Sequence, residues 1–186
     1  MDSPYNYNNF KNHLECDKHN DFEAHNLCPL PGKALLEANV SNFELSNIEF
    51  EANGTTLTLD KFIAAVNIDT TCLSKAKLLI HFGGILDLTS PDNFLVSNLI
   101  FTLFRVCDRN KVPQPLTTFS HIFVNTSGYQ NSSSLNFEYT SCDNLSCCGA
   151  NCTYILKLTS ITAQIAGTEN ISINGVLSAL AVEKQC

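Results

Sequence analysis

The sequence predicts an all-β protein, a jelly-roll-like β-sandwich of about eight to ten strands with an extended N-terminal arm. Three observations lead to this prediction. Apolar residues recur at every second position in several short segments, neutral polar residues fill the positions between them, and turn-forming residues separate the segments. Regular short spacing of this kind is typical of sandwiches built from antiparallel strands.

The alternation is clearest at residues 135–139 and 78–82, where large apolar and mainly polar side chains take turns, as in half-buried strands. Segment 95–106 is apolar on both faces, which indicates a central strand. The glycine pair at 83–84 interrupts a strand pattern and predicts a bulge or bend. Further strands are expected at 34–40, 44–50, 55–59, 62–69, 115–124, 152–165 and 171–182. The turn signals between strands are Asn53-Gly54, Ser90-Pro91-Asp92, Asp108-Arg109-Asn110 and Ser127-Gly128.

Residues 1–32 form a region distinct from the predicted sandwich, which covers 33–186. This N-terminal arm is rich in Asn, its large apolar side chains are too sparse for a core, and it ends in the structure-breaking sequence Cys28-Pro-Leu-Pro-Gly32. It is either a disordered tail or an arm that docks on another surface.

Composition excludes several classes of function. The net charge is −7, and Lys and Arg are scattered singly, so the basic stripe of a nucleic-acid-binding protein is missing. No apolar run approaches the length of a membrane span. The first residues are polar and acidic, so we expect no secretory signal. Hydrophobic residues make up 44% of the chain, which is enough for a core.

Nine cysteines are the most informative residues. Because their number is odd, they cannot all pair within one chain, which points to a bond between chains or to a free thiol. We predict covalent assembly into a homo-oligomer. The candidates for intersubunit disulfides lie on the arm, in a dense cluster and at the last residue: Cys16, Cys28, Cys142, Cys147, Cys148, Cys152 and Cys186. An arm cysteine is expected to bond to the cluster at 142–152 of another subunit.

Cys72 and Cys107 lie at the ends of predicted strands. Each is either a small buried hydrophobic residue or part of a bond at one end of the sandwich, and the sequence favours neither. Within the cluster, a local alternative is a staple from Cys142 to Cys152 across a hairpin.

Metal binding is the competing interpretation of the cluster. Structural zinc is usually held by two Cys-x-x-Cys pairs separated by a longer loop, whereas this cluster is a single block. Adjacent Cys147 and Cys148 point in different directions in an extended chain, so we predict disulfides and no metal or other cofactor. The arm spacing His13-x-x-Cys16-x-x-His19 can hold zinc or copper but matches by chance often.

Enzyme signatures are absent from the sequence. It contains no Gly-x-Ser-x-Gly elbow, no His-Glu-x-x-His helix motif and no phosphate-binding Gly-rich loop. His81 and His121 lie in predicted strands, where a lone His is more often an exposed or hydrogen-bonded polar residue than a catalyst. We therefore expect no enzymatic activity.

Several segments resemble a cysteine-rich family of unknown function from clostridial spore formers. They are Lys33-Ala-Leu-Leu-Glu37, Val66-Asn-Ile-Asp-Thr70 with the following Thr-Cys72, Phe101-Thr-Leu-Phe104-Arg-Val-Cys107, the cysteine cluster with Cys152-Thr-Tyr154, and Asn174-Gly-Val-Leu177-Ser-Ala-Leu-Ala181. In general design the chain is similar to the subunits of endospore appendages, which combine a jelly-roll core with a cysteine-bearing N-terminal connector. It differs from them in carrying its double cysteine, Cys147-Cys148, in the core.

The resemblance implies a structural subunit of a head-to-tail, disulfide-linked filament at the spore surface, outside the cell. Two alternatives remain open at this stage: a cytoplasmic cysteine-rich metal-binding or redox protein, and a jelly roll for surface adhesion or carbohydrate binding. Assembly that survives denaturants would favour the first, and a monomer with bound zinc the second.

Overall fold

The computed structural model describes residues 34–51, 54–73, 76–89, 96–108, 110–122, 130–142, 150–163 and 166–183. These residues form eight β-strands: β1 Ala34–Phe50, β2 Thr56–Asp69, β3 Ala76–Thr89, β4 Val96–Cys107, β5 Asn110–Ile122, β6 Gln130–Cys142, β7 Asn151–Ala163 and β8 Gly167–Glu183. The predicted arm and its cysteines lie outside the described residues.

The strands form two four-stranded antiparallel sheets, in the orders β1-β8-β3-β6 and β2-β7-β4-β5. Six of the seven connections pass from one sheet to the other, and only β4 and β5 are consecutive neighbours in one sheet. This interleaved order is that of a jelly roll, and it confirms the predicted fold class. The segment predicted as a central strand is β4, which lies between β7 and β5.

The core lies between the two sheets, and its residues follow the alternation seen in the sequence. Leu78, Ile80 and Phe82 of β3 are buried, and Leu135 and Phe137 of β6 are buried with them. The ring of Phe137 lies 5.0 Å from that of Phe101 and 4.9 Å from that of Phe119, measured between centroids, so aromatic side chains from both sheets meet in the core. Such pairs contribute about 0.5–1.5 kcal/mol beyond the area that they bury.

Two strands are longer than the sequence predicted. β1 contains both 34–40 and 44–50, and β2 contains 62–69 together with 56–59 of the predicted strand 55–59. In β1 the register with β8 is unbroken through 41–43, and it shifts further on, between Leu45 and Ile48, where Asn47 has a φ of 57°. In β2 the register shifts between Thr58 and Lys61, next to the predicted break. A bulge changes the side-chain phase without ending the strand, which a sequence pattern cannot distinguish from a turn.

The bulge predicted at Gly83 and Gly84 is wrong, because β3 keeps an unbroken register with β6 and β8 through both residues. Gly84 pairs instead with Gly175 of β8, and the ring of Phe82 packs against this pair. A Cβ atom on Gly175 would come within 2.7 Å of Phe82 Cζ. It would also lie 2.7 Å from the Gly83 carbonyl oxygen, and a Cβ atom on Gly84 would lie 2.7 Å from the Asn174 carbonyl oxygen. The glycines are needed because a side chain would collide with the backbone of the neighbouring strand and, at Gly175, with the ring.

Side chains of β1 close one side of the sandwich. The Asn39 side-chain amide donates a hydrogen bond to the Ala65 carbonyl at 3.0 Å, and the buried Ser41 hydroxyl donates one to the Ile63 carbonyl at 2.6 Å. Both carbonyls belong to β2, the edge strand of the other sheet. The polar groups of that edge therefore have partners within the chain.

The four sheet edges differ in how they are protected. β1 and β2 contain register shifts, and β5 contains Pro113 and Pro115, which cannot donate backbone hydrogen bonds. Among the described residues, β6 has neither feature and pairs with β3 in unbroken register from Gln130 to Cys142. β6 is therefore the edge best suited to pair with another strand.

Candidate disulfide cross-linking end

The topology gathers the cysteine-bearing segments at one end of the sandwich, which we name the cysteine end. The residues that mark it on the eight strands are Ala34, Asp69, Ala76, Cys107, Asn110, Cys142, Asn151 and Glu183. Every cysteine lies on a strand terminus or in a sequence segment attached to this end. The segments that connect strands at the opposite end, 51–55, 90–95, 123–129 and 164–166, contain no cysteine.

Cys107 and Cys152 are joined by a disulfide within the chain, with their Cα atoms 4.1 Å apart. They are direct register partners on β4 and β7, the two inner strands of their sheet, and Cys152 is buried. Cys152 is therefore not available for a disulfide between subunits. The alternative staple from Cys142 to Cys152 is wrong for the same reason, since one sulfur cannot form both bonds.

This pairing was missed from the sequence, although a signal was present. Cys107 ends one predicted strand and Cys152 begins another. A cysteine at the end of one strand and a cysteine at the start of another become cross-strand neighbours when the two strands pair antiparallel with their ends in register. Which strands pair, however, is decided by the jelly-roll order, in which β4 lies beside β7.

Cys72 is half-buried in the turn between β2 and β3 and is also disulfide-bonded. The turn is held firmly, because the backbone amide and the hydroxyl of Thr70 both donate hydrogen bonds to the Ala150 carbonyl, at 3.1 and 3.0 Å. The Leu73 amide closes it with a bond to the Thr70 carbonyl at 3.0 Å. The turn that carries Cys72 is thus tied to the point where the chain returns from the cluster and enters β7.

The structure brings the attachment points of the other predicted cysteines to the same end. Cys142 is the register partner of Lys77 at the last pair of β6 and β3. Cys186 follows the last residue of β8 by three positions. The side chains of Cys16, Cys28, Cys142, Cys147, Cys148 and Cys186 lie outside the described residues.

The disulfide count stays unbalanced after the observed pairing. Nine cysteines less the two of the Cys107–Cys152 bond leave seven, which is again odd. Further bonds within the chain remove cysteines two at a time. At least one sulfur therefore stays outside intrachain disulfides, whatever partner Cys72 has.

Two histidines of the described ranges have local polar partners. His81 Nε2 lies 2.9 Å from Asn136 Oδ1, and His121 Nε2 lies 2.8 Å from Ser133 Oγ. Burial lowers the pKa of His121, so the neutral imidazole is favoured. Within those ranges no three His, Cys, Asp or Glu side chains converge in a way that would hold a metal ion. Those same ranges contain no helix that is long and apolar enough to cross a membrane.

The sequence of the chain matches one known family. A family model described as a domain of unknown function, DUF4489, covers residues 35–182, which is nearly all of the sandwich. No curated protein matches the chain.

Solved structures with distant similarity include capsid proteins of infectious bursal disease virus. The structure of the Gx strain is 15% identical and has a TM-score of 0.33, with 81% of this chain and 37% of the viral chain covered. The VP2 subviral particle is 14% identical with a TM-score of 0.34, covering 87% of this chain and 46% of the viral one. This chain therefore spans less than half the length of these viral chains.

Proposed function

We propose that this chain, which belongs to the DUF4489 family of domains of unknown function, is a structural subunit that assembles with copies of itself and is cross-linked by disulfides at the cysteine end. Subunits join head to tail, and because such contacts do not close on themselves they produce a filament. The filament lies outside the cell, at the surface of a spore. The subunit works by assembly and has no catalytic role.

The observation that carries this proposal is an odd number of cysteines that lie at, or on segments attached to, one end of the subunit. A disulfide forms only when the two Cα atoms approach within about 7 Å. Cysteines scattered over a surface would need several different contacts, whereas cysteines at one end can be used by a single neighbour. Covalent links of this kind make an assembly resistant to heat and denaturants, which surface ion pairs of about 0–1 kcal/mol each do not.

The position of the arm also supports the proposal. β1 begins at the cysteine end, so the chain that precedes Ala34 is attached there. At about 3.3 Å per residue, an extended chain allows Cys28 to reach about 20 Å from Ala34, and Cys16 about 60 Å. Both distances are long enough to reach a cysteine of a neighbouring subunit.

The β6 edge provides a second, non-covalent contact for assembly. Its outward backbone groups have no neighbouring strand in the described part of the chain, and no bulge or proline protects them. An extended segment of another subunit that paired with β6 would satisfy these groups. The similarity of the chain's design to endospore-appendage subunits is consistent with such an arrangement and suggests the spore surface as its location.

The decisive experiment maps disulfides between isotopically distinct copies. Equal amounts of light and ¹⁵N-labelled protein are mixed, reduced, allowed to assemble under oxidising conditions and digested without reductant. We expect cross-linked peptides that combine Cys16 or Cys28 with Cys142, Cys147 or Cys148, and half of each such pair should contain one light and one heavy peptide. The Cys107–Cys152 peptide is the internal control, because a bond within the chain must stay entirely light or entirely heavy.

Two results would reject the proposal. If all disulfide peptides are isotopically unmixed, there is no covalent assembly. If the cluster thiols are protected by stoichiometric zinc, the protein is a metal-binding one. In a related test, deletion of residues 1–31 should leave β-rich protein that no longer forms long polymers, and polymers of normal length would exclude a link through the arm.

A further inference from the structure

We propose that the outer side of the sheet β1-β8-β3-β6 is a docking surface for a second copy of this chain. The surface, which we name the outer apolar face, carries Leu36, Val40, Ile85, Val176, Leu180 and Val182. It packs against the same face of its partner without any disulfide, so this pairing is independent of the cross-linking proposed above.

The exposure of these side chains is unusual for a protein rich in neutral polar residues. Val40 is 76% exposed, Leu36 68%, Ile85 55%, Val176 41% and Val182 38%. Five of the eight large apolar side chains that are exposed in the described residues therefore lie on this one face. Single exposed apolar residues are normal, but a contiguous group marks an interaction surface.

Register makes the group contiguous. Leu36 of β1 lies beside Leu180 of β8, which lies beside Leu79 of β3, so three leucines form a row across the sheet. Four positions further along β1, past Ala38, Val40 lies beside Val176. Residues between these rows on β8, such as Leu177 and Ala179, point into the core, which establishes that the rows point outward.

The charge distribution identifies the partner as another copy. The chain carries a net charge of −7, so two copies repel each other over most of their surfaces. On the outer apolar face, however, the outward positions of β1 from Ala34 to Asn42, of β8 from Asn174 to Val182, and of β3 from Lys77 to Ile85 include no Asp or Glu. Outward carboxylates of this sheet, among them Glu44, Asp87 and Glu138, lie outside these three stretches. Two such faces meet without opposing carboxylates.

The N-terminal arm is less suited than a second copy of the chain to cover the outer apolar face. Residues 1–33 carry both Asp and Glu, and their large apolar side chains are few and widely spaced. An extended arm would bring charged groups onto the apolar rows, whereas a second copy presents matching rows. Packed sheets lie about 10 Å apart with their strands inclined by about 30°, a geometry open to two copies of the same sheet.

The area of the outer apolar face predicts a dimer that forms reversibly. Three strands spaced about 4.8 Å apart and nine residues at about 3.3 Å each give roughly 15 Å by 30 Å, or about 450 Å². A standard interface buries about 800 Å² on each partner, so we expect dissociation in the micromolar range and not an obligate dimer. A two-fold contact closes on itself, so it joins two chains and does not extend a filament alone.

The outer face of the other sheet provides a contrast. There the ammonium group of Lys157 lies 5.4 Å from the centre of the Phe104 ring and forms an ion pair with Asp60 at 2.7 Å. Charged groups thus cover part of the apolar surface on that side, and pairing would require their desolvation. On the face proposed here, by contrast, Lys77 beside Val182 is the one outward Lys or Arg of β1, β8 and β3 over the ranges given above.

The test is sedimentation velocity on the full chain over a range of concentrations, in a mild reductant that prevents intersubunit disulfides. The variants are Val40→Lys and Leu36→Lys on the face, and the matched control is Val112→Lys, a 65% exposed valine on β5 of the other sheet. Circular dichroism and alkylation followed by mass spectrometry verify that each protein stays folded with Cys107 and Cys152 still bonded.

We expect a monomer–dimer equilibrium for the unmodified chain, a dissociation constant raised at least tenfold by either face variant, and no change with Val112→Lys. Mixing Val40→Lys with Val40→Glu should restore dimers. A monomer at all concentrations, or equal effects of Val40→Lys and Val112→Lys, would overturn the proposal. If the unmodified chain is monomeric and Val40→Lys instead speeds proteolysis of residues 1–33, the arm is the occupant. Because the disulfide map is measured separately, failure here leaves the cross-linking proposal unaffected.

Discussion

Opening the Cys107–Cys152 disulfide should lower the free energy of unfolding substantially without changing the fold. The perturbation is the double replacement Cys107→Ala and Cys152→Ala. β4 and β7 already pair along their whole length, so the native backbone does not depend on the bond. The bond acts chiefly on the unfolded chain, whose ends it holds together.

The magnitude follows from the length of the closed loop. The two cysteines are 45 residues apart in the sequence. With a loop of this length, the chain-entropy treatment gives a loss of about 4 kcal/mol at room temperature. At roughly 2–4 °C per kcal/mol for a protein of this size, the melting temperature should fall by about 8–16 °C.

The assay is urea-induced unfolding followed by far-ultraviolet circular dichroism, at concentrations low enough to prevent assembly. The control is the same pair of proteins in reductant, where the unmodified chain also loses the 45-residue loop and the difference should shrink. The slope of the unfolding free energy against urea should also rise in the double variant, because an uncrosslinked chain exposes more surface. A loss below about 1 kcal/mol, or an equal difference between the two proteins in reductant, would refute the argument from loop closure.

Three further predictions concern the packing and the pH response of the sandwich. Gly175→Ala should cost about 1–3 kcal/mol, because its Cβ would lie 2.7 Å from Phe82 Cζ, and unchanged thermal stability would show that the ring moves aside freely. Ser41→Ala should cost about 1–3 kcal/mol in urea unfolding by leaving the Ile63 carbonyl without its hydroxyl donor, whereas a neutral result would mean that water replaces it. The pKa of His121 is lowered from 6.5 by burial, so the unfolded chain binds the proton more tightly. Stability should therefore fall as the pH drops below about 6.5 and through the folded pKa, less steeply in His121→Gln, and parallel pH profiles would contradict this.

The sequence determined the fold class because side-chain alternation is a local property. Leu135 and Phe137 are buried and Asn136 between them is exposed, as the period of two requires. The inner position of β4 was also predicted, because a strand that is apolar on both faces is poorly suited to an exposed sheet edge.

Predictions from the local sequence pattern were wrong where the structural reason for a residue lay in a neighbouring strand. The glycine pair at 83–84 gave the pattern of a bulge, but the reason for Gly84 is the ring of Phe82 together with Gly175, nearly a hundred residues away in sequence. The sequence predicted separate strands on either side of 41–43 and of 60–61, whereas pairing with β8 and β7 continues past both breaks. Hydrogen bonds to a partner strand keep the strand continuous even where the alternation of inward and outward side chains changes.

The candidate site, too, could be predicted only in part from the sequence. Its elements were visible in the sequence, because an odd number of cysteines follows from counting alone. Only the tertiary structure decided that Cys107 and Cys152 are partners, that the cysteine-bearing segments meet at one end, and that Leu36, Leu180 and Leu79 form one outward row. The physical reason is that alternation specifies which residues of a strand share a face, whereas strand order and register specify which strands lie side by side, and these depend on packing of the whole chain.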